Sequence, residues 1–208
     1  VAHRLPAAAL LAAVALASAG AAAGDPGRGE ALAEARGCGG CHGPQGVSAM
    51  ANTPSLAGHP DEFITLQLIL FREGLRDVPP MTQLAQGLTD QEVEDLAAFY
   101  AGLPAGHAER PPRDPARYQA GAALAERLRC GVCHLADFRG RAQMPRLTGQ
   151  REDYLAHALT EYRDGTRRGT DTNMNAVMFG VPDSDIAALA HFLAQQQAGE
   201  TVPVESRR

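Results

Sequence analysis

An all-α fold built as two tandem units is what this sequence predicts, and three observations carry that reading. Every cysteine lies in one of two copies of a pentapeptide, Cys38-Gly39-Gly40-Cys41-His42 and, 92 residues later, Cys130-Gly131-Val132-Cys133-His134. The residues around both copies repeat in nearly constant register. Apolar side chains recur at helical spacing, and no period-two alternation of any length is found.

The pentapeptide is the attachment signal for c-type haem. Two thiols one short helical turn apart can add to the two vinyl groups on one porphyrin edge, and the adjacent histidine then reaches the iron. A thioredoxin-like redox pair or half of a zinc site would also use Cys-x-x-Cys, but neither explains a histidine directly after both pairs. Two motifs therefore imply two covalently held haems, through Cys38 and Cys41 and through Cys130 and Cys133, with His42 and His134 as iron ligands.

The repeat can be followed residue by residue. Gly29 and Leu32 precede the first motif as Gly121 and Leu124 precede the second. Each motif is followed by Pro-x-Leu-x-Gly: Pro54, Leu56 and Gly58, then Pro145, Leu147 and Gly149. Phe63, Phe71, Gly74 and Arg76 return as Tyr154, Tyr162, Gly165 and Arg167, offset by 91. Met81, Leu88, Asp90, Leu96 and Phe99 return as Met174, Val181, Asp183, Leu189 and Phe192, offset by 93. The offset changes only in loops, as duplication with small insertions would leave it.

In chain order, residues 1–23 read as a secretory signal peptide. Arg4 is followed by an apolar stretch from Ala7 to Ala17 and by small residues that allow cleavage after Ala19 or Ala23. That stretch is shorter than the roughly 20 residues of a membrane span. The first unit, 24–103, is expected to hold three helices joined by long haem-wrapping loops. One runs into the first motif. A second covers about Asp61 to Glu73, where Phe63, Leu66, Leu70 and Phe71 fall on one face. A third starts at Thr89, which precedes Glu92 in the capping-box arrangement. Residues 104–116 contain Pro104, Pro111, Pro112 and Pro115 and read as a semi-rigid extended linker. The second unit, 117–198, repeats the pattern with helices over Glu152 to Arg163 and from Pro182 to about Gln197. Residues 199–208 read as a flexible tail.

All 19 basic residues are arginine, and without Arg4 the other 18 stand against 24 Asp plus Glu, a formal charge of −6. Nucleic acid is an unsuitable partner for such a chain. A redox protein with a basic docking face suits it, with association that weakens as salt rises. Each unit has few aromatics, so its own side chains supply a modest core that a buried haem would complete.

The sixth iron ligand decides between electron transfer and catalysis. Met81 lies 39 residues after His42 and Met174 lies 40 after His134, each seven residues before the apolar residue that opens the third helix. Met50 and Met144 have no counterpart in the repeat, and Met178, which answers to Ala85, is the one competitor of Met174. His59, His107, His157 and His191 each occur in one half only and are weaker candidates.

With these features the chain resembles the dihaem class I cytochromes c, most closely cytochrome c4 and its relatives, over about Gly27 to Gln197. The resemblance implies two tandem class I cytochrome c domains, each wrapped around one covalently bound haem, with His/Met ligation through His42 and Met81 and through His134 and Met174. It also implies that the carbonyls of Pro54 and Pro145 accept from Nδ1–H of His42 and His134. The first unit departs from the second in the loop before its methionine, Pro79-Pro80 against the polar Thr170 to Asn173, so the two potentials are expected to differ. His/Met ligation leaves no room for substrate at either iron. The expected function is electron transfer in the bacterial periplasm, from a respiratory or dehydrogenase donor to a terminal oxidase or reductase, which includes membrane partners. A cytochrome subunit of a periplasmic dehydrogenase complex, oxidising sulfide or an alcohol, is the alternative. A dihaem peroxidase is the more distant one, since it needs an iron with a displaceable ligand.

Overall fold

The computed structural model describes residues 23–169 and 172–197, so the tail and all but the last residue of the expected signal peptide lie outside the described residues. Among the described residues there are ten helices and one isolated bridge, Arg141 to Met144, with no strand. The first unit contains α1 (Pro26–Ala35), α2 (Gly39–His42), α3 (Asp61–Arg72), α4 (Met81–Ala85) and α5 (Asp90–Gly102). The second repeats the order with α6 (Pro115–Arg127), α7 (Gly131–His134), α8 (Glu152–Arg163), α9 (Thr172–Met178) and α10 (Asp183–Gln195).

Local chemistry explains where these helices begin. Asp25 accepts from the backbone N–H of Arg28, and Asp114 from those of Ala116 and Arg117, with a proline at the first helical position of α1 and of α6. That is the arrangement a helix start favours, because proline has no N–H to orphan there. The Thr89–Glu92 capping box forms at the start of α5. The sequence expectation of three helices per unit is exceeded by the single turns of the two Cys-x-x-Cys-His motifs and by α4 and α9. The last two have 5 and 7 residues. Helices that short show no readable hydrophobic period and persist only through packing.

Each unit is held by one close helix crossing, α1 on α5 and α6 on α10. At its centre lies the repeated glycine: a Cβ on Gly29 would sit 2.0 Å from the carbonyl oxygen of Asp95, and one on Gly121 2.2 Å from that of Ala188. Asp95 also closes the first crossing chemically, taking both Nε and Nη2 of Arg28 at 2.7 and 2.8 Å. Around the first crossing gather Ala33, Ile64, Phe71, Leu88, Val93, Leu96 and Tyr100. Around the second gather Leu124, Phe138, Leu155, Leu159, Met178, Ile186, Leu189 and Phe192, the last with its ring edge-on to Tyr118 and Phe138.

The linker does not run free between the units. Arg110 donates to the carbonyl of Ala194 (3.1 Å), Gln195 donates to that of Pro111 (2.7 Å), and Arg113 lies 3.8 Å over the ring of Tyr118. It is a strap fastened to α6 and α10, and α6 begins at Pro115, inside the stretch assigned to the linker from sequence.

Gly29→Ala and Gly121→Ala should each cost about 1–3 kcal/mol by overpacking their own crossing. Calorimetry of the holoprotein is expected to show a lower melting temperature by several degrees for either change. An unchanged melting temperature would mean that the crossings are looser than described.

Candidate haem sites and the interface between them

The first motif is presented by α1, whose end hands the chain on through the bond from Cys38 N–H to the carbonyl of Ala33 (3.0 Å). One turn later His42 is buried, and its Nδ1 lies 2.8 Å from the carbonyl oxygen of Pro54. A carbonyl only accepts, so Nδ1 carries the hydrogen and Nε2 keeps its lone pair. Among the described residues nothing hydrogen-bonds that Nε2. The second unit repeats the construction: Cys130 N–H bonds the carbonyl of Ala125 (3.0 Å), and Nδ1 of buried His134 lies 2.9 Å from Pro145 O. Burial pushes both imidazoles below the ordinary histidine range, and the bonds to the proline carbonyls offset this in part. Both rings are therefore neutral at physiological pH, as a metal-ligating imidazole must be.

All four thiols are free. Cys38 and Met81 pack against the first apolar core, and Cys130 and Met174 against the second. Met81 opens α4, and Met174 lies in α9. The competitor Met178 is 1% exposed and sits inside the second core, whereas Met50 is largely exposed. His107 and His157 are exposed, the latter 3.5 Å from Glu161. His191 is fully enclosed with both nitrogens engaged, Nδ1 with Glu152 (2.8 Å) and Nε2 accepting from Asp114 N–H (3.0 Å). Residues 170 and 171, part of the polar loop before Met174, lie outside the described residues.

The two Pro-x-Leu-x-Gly loops face each other, and here lie residues that the sequence reading passed over. Ser55 N–H donates to Gln150 Oε1 (2.8 Å), and Gln150 Nε2 donates back to Ser55 O (2.9 Å). Arg146 N–H donates to His59 Nδ1 (3.1 Å), while His59 Nε2–H donates to Ser55 O (3.1 Å). Ser55 and Arg146 occupy one repeat position, His59 and Gln150 another, both offset by 91. The signal was in that register: comparing histidine only with histidine set His59 aside, although its counterpart is another polar side chain of similar reach.

Arg146 is 2% exposed, and its guanidinium donates to the carbonyls of Ala57 (2.9 Å), Gly106 (3.4 Å) and Thr148. Its Nε is buried without a partner, and among the described residues no carboxylate pairs with it. Burial lowers its pKa to about 10. A buried cation without a counter-charge is costly, and a haem carries two carboxylates. The free thiols, the unpartnered imidazole nitrogens and this cation together fit a covalently held haem in each unit.

Comparison with known proteins agrees with that fit. Residues 24–99 match the family model "Cytochrome C oxidase, cbb3-type, subunit III", and residues 118–197 match "Cytochrome c". Cytochrome c4 of Thiocapsa roseopersicina is 38% identical over 82% of this chain and 92% of its own. Cytochrome c4 of Pseudomonas aeruginosa is 34% identical over 83% and 89%. The thiosulfate dehydrogenase electron acceptor of Stutzerimonas stutzeri is 32% identical over 84% and 85%. The crystal structure of reduced cytochrome c4 from Pseudomonas stutzeri superposes with a TM-score of 0.74 at 31% identity, covering 84% of this chain and all of that one.

His59 carries a pH dependence of its own. Burial, Arg146 and His134 hold its pKa down at about 3, and Gln150 also faces it. Because the unfolded group titrates near 6.5, stability from this site is complete above that pH and is lost as pH falls toward about 3. At pH 5 the loss should be about 2 kcal/mol, at 1.36 kcal/mol per pKa unit. The melting temperature of the holoprotein should drop between pH 7 and 5 more steeply than that of His59→Gln. Parallel curves for the two proteins would refute the assignment.

Proposed function

This chain belongs to the cytochrome c4 family of dihaem class I cytochromes c, and we propose that it carries electrons through the bacterial periplasm between a respiratory or dehydrogenase donor and a terminal oxidase or reductase. That it is a dihaem electron-transfer cytochrome follows from the family. The finer reading rests on one observation, the same set of groups assembled in both units: two thiols, an imidazole fixed through Nδ1, and a methionine on the same apolar core. Among the described residues no single helix is long and apolar enough to cross a membrane.

In this reading Cys38 and Cys41 would tether one haem and Cys130 and Cys133 the other, with His42 and Met81 as ligands to the first iron and His134 and Met174 to the second. Bound haem supplies reversible one-electron chemistry between ferric and ferrous iron. The chain does the rest. The carbonyls of Pro54 and Pro145 hold each imidazole in one tautomer and one orientation and raise its basicity. The thioethers of Met81 and Met174 would favour the ferrous state, and two protein ligands on each iron would leave no place for substrate. The apolar cores exclude water, so little reorganises when the charge changes.

A second reading keeps this chemistry and changes the partner. Similarity to a thiosulfate dehydrogenase electron acceptor favours a place beside a periplasmic dehydrogenase, as its dedicated acceptor or as a subunit of the complex. A partner that stays bound through purification would select that reading over the free carrier.

Met81→His and Met174→His should each lower one potential and leave the other nearly in place, within the range of about 0.8 V over which axial ligands act. Redox titration reads the shifts, and the weak sulfur-to-iron absorption band should halve in either variant and persist in Met178→Ala. A halved band in Met178→Ala, with Met174→Ala unchanged, would move the ligand by one helical turn.

Reduction by a partner with a basic face should slow about tenfold or more as salt rises, because the chain and the haem carboxylates are acidic. Stopped-flow rates that ignore salt would remove the electrostatic docking. Carbon monoxide should bind the reduced native protein poorly, and peroxide turnover should stay at background; turnover at ordinary enzymatic rates would overturn the carrier assignment.

A further inference from the structure

We propose that each haem's axial histidine is tuned from the opposite unit, through a single peptide group whose two sides are hydrogen-bonded at once. The proposal rests on the assignment of His42 and His134 as iron ligands. The peptide joining Pro54 to Ser55 accepts from His42 Nδ1–H at its carbonyl (2.8 Å) and donates from its N–H to Gln150 Oε1 of the second unit (2.8 Å). The peptide joining Pro145 to Arg146 accepts from His134 Nδ1–H (2.9 Å) and donates to His59 Nδ1 of the first unit (3.1 Å). In a planar trans peptide the C=O and N–H point opposite ways. One end of each group therefore serves the ligand within its own unit, and the other end crosses the interface.

The two ends communicate through amide resonance. An acceptor on the N–H draws electron density toward the carbonyl oxygen, so the oxygen accepts more strongly from the imidazole, and in a buried chain of hydrogen bonds this strengthening is cooperative. A more strongly held Nδ1–H makes Nε2 a better donor to iron, which favours the ferric state and lowers the potential. Ser55, His59, Arg146 and Gln150 are all 4% exposed or less, so water does not compete for these bonds.

The tautomers are consistent along both chains. His59 Nε2 faces the carbonyl of Ser55 at 3.1 Å and must donate there, which leaves Nδ1 free to accept from Arg146. Gln150 uses its amide NH2 on that same carbonyl and its oxygen on Ser55 N–H. His59 and Gln150 are thus positioning residues. The two acceptors differ chemically, an imidazole nitrogen serving the second haem and an amide oxygen the first. The units therefore differ here as well as in the loops before their methionines.

The test is crossed. His59→Leu removes the acceptor from the peptide behind His134, and Gln150→Leu removes it from the peptide behind His42. Redox titration of the holoprotein, with each potential assigned through Met81→His and Met174→His, should show His59→Leu raising the potential of the second haem. Gln150→Leu should raise that of the first. Each shift should be of the order of threefold in the ferrous-to-ferric ratio, about 30 mV at 59 mV per tenfold. His59→Gln, which can still accept, should restore the native value. The Nδ1–H proton resonance of the affected axial histidine in the reduced protein should move with the potential. Packing loss alone would lower the melting temperature without this exchange of sides.

A shift in the haem of the mutated unit, equal shifts in both, or no rescue by His59→Gln would overturn the proposal. If instead the native protein lacks two His/Met haem signatures, the ligand assignment has failed and not the relay. Should either leucine variant fail to fold, the proton resonances of His59→Gln and native protein decide: a large displacement of both axial histidines would also overturn it.

Discussion

A hydrogen bond from an imidazole Nδ1–H to a proline carbonyl, made once in each half, is the interaction on which the rest of this structure depends. It settles the tautomer of His42 and His134, leaving Nε2 as the nitrogen with a free lone pair. It also fixes the loop that follows each motif, because the carbonyl must arrive from a chain that has turned back after passing the buried histidine. Proline suits that place. It has no N–H of its own to satisfy, and its fixed φ restricts the approach. Every later feature of the loop, from the leucine that enters the core to the glycine that seats against the linker, is placed by that return.

The same economy governs packing. Each unit closes around one helix crossing, brought to backbone contact by Gly29 or Gly121, and the aliphatic cores on either side are small. A protein with such cores needs the bound group as part of its interior. The second unit is the better enclosed because the linker lies across it. Nine residues of α10 are buried against five of α5, and His191 ties α10 both to Glu152 and to the backbone at Asp114. Duplication gave two similar units, and the strap made them unequal.

Much of this was legible in the sequence. Spacing and composition alone pointed to the motifs, the three long helices of each unit, the capping box at Thr89 and the repeat register. Each reflects a local rule, a period or a cap, that a few neighbouring residues express completely. The short helices α4 and α9 were not legible, since 5 and 7 residues cannot show a period and their stability comes from Ala85 and Met178 entering cores built elsewhere. The linker was read from its four prolines, which exclude regular structure, but nothing local says that Arg110 and Arg113 will find α10 and Tyr118. The interface was harder to see: the register does pair His59 with Gln150 and Ser55 with Arg146, but only the fold shows that these two stretches, 91 residues apart in sequence, meet each other.

That interface is polar, which raises the question of why it holds. Each net hydrogen bond contributes only about 0.5–1.5 kcal/mol, while each partner left unmatched in the dry interior costs about 1–3 kcal/mol. Such a surface gains little when it associates correctly and loses much when it slips by one residue. As a contact between separate chains it would be weak. Joined by a linker already strapped to one unit, the two faces meet at the high effective concentration of an intramolecular contact. The modest gain is then sufficient, and the penalty for error selects one register. An apolar interface of the same size would bind more strongly but would tolerate sliding. Only a register fixed by hydrogen bonds keeps Ser55 opposite Gln150 and Arg146 opposite His59, as the proposed relay between the units requires.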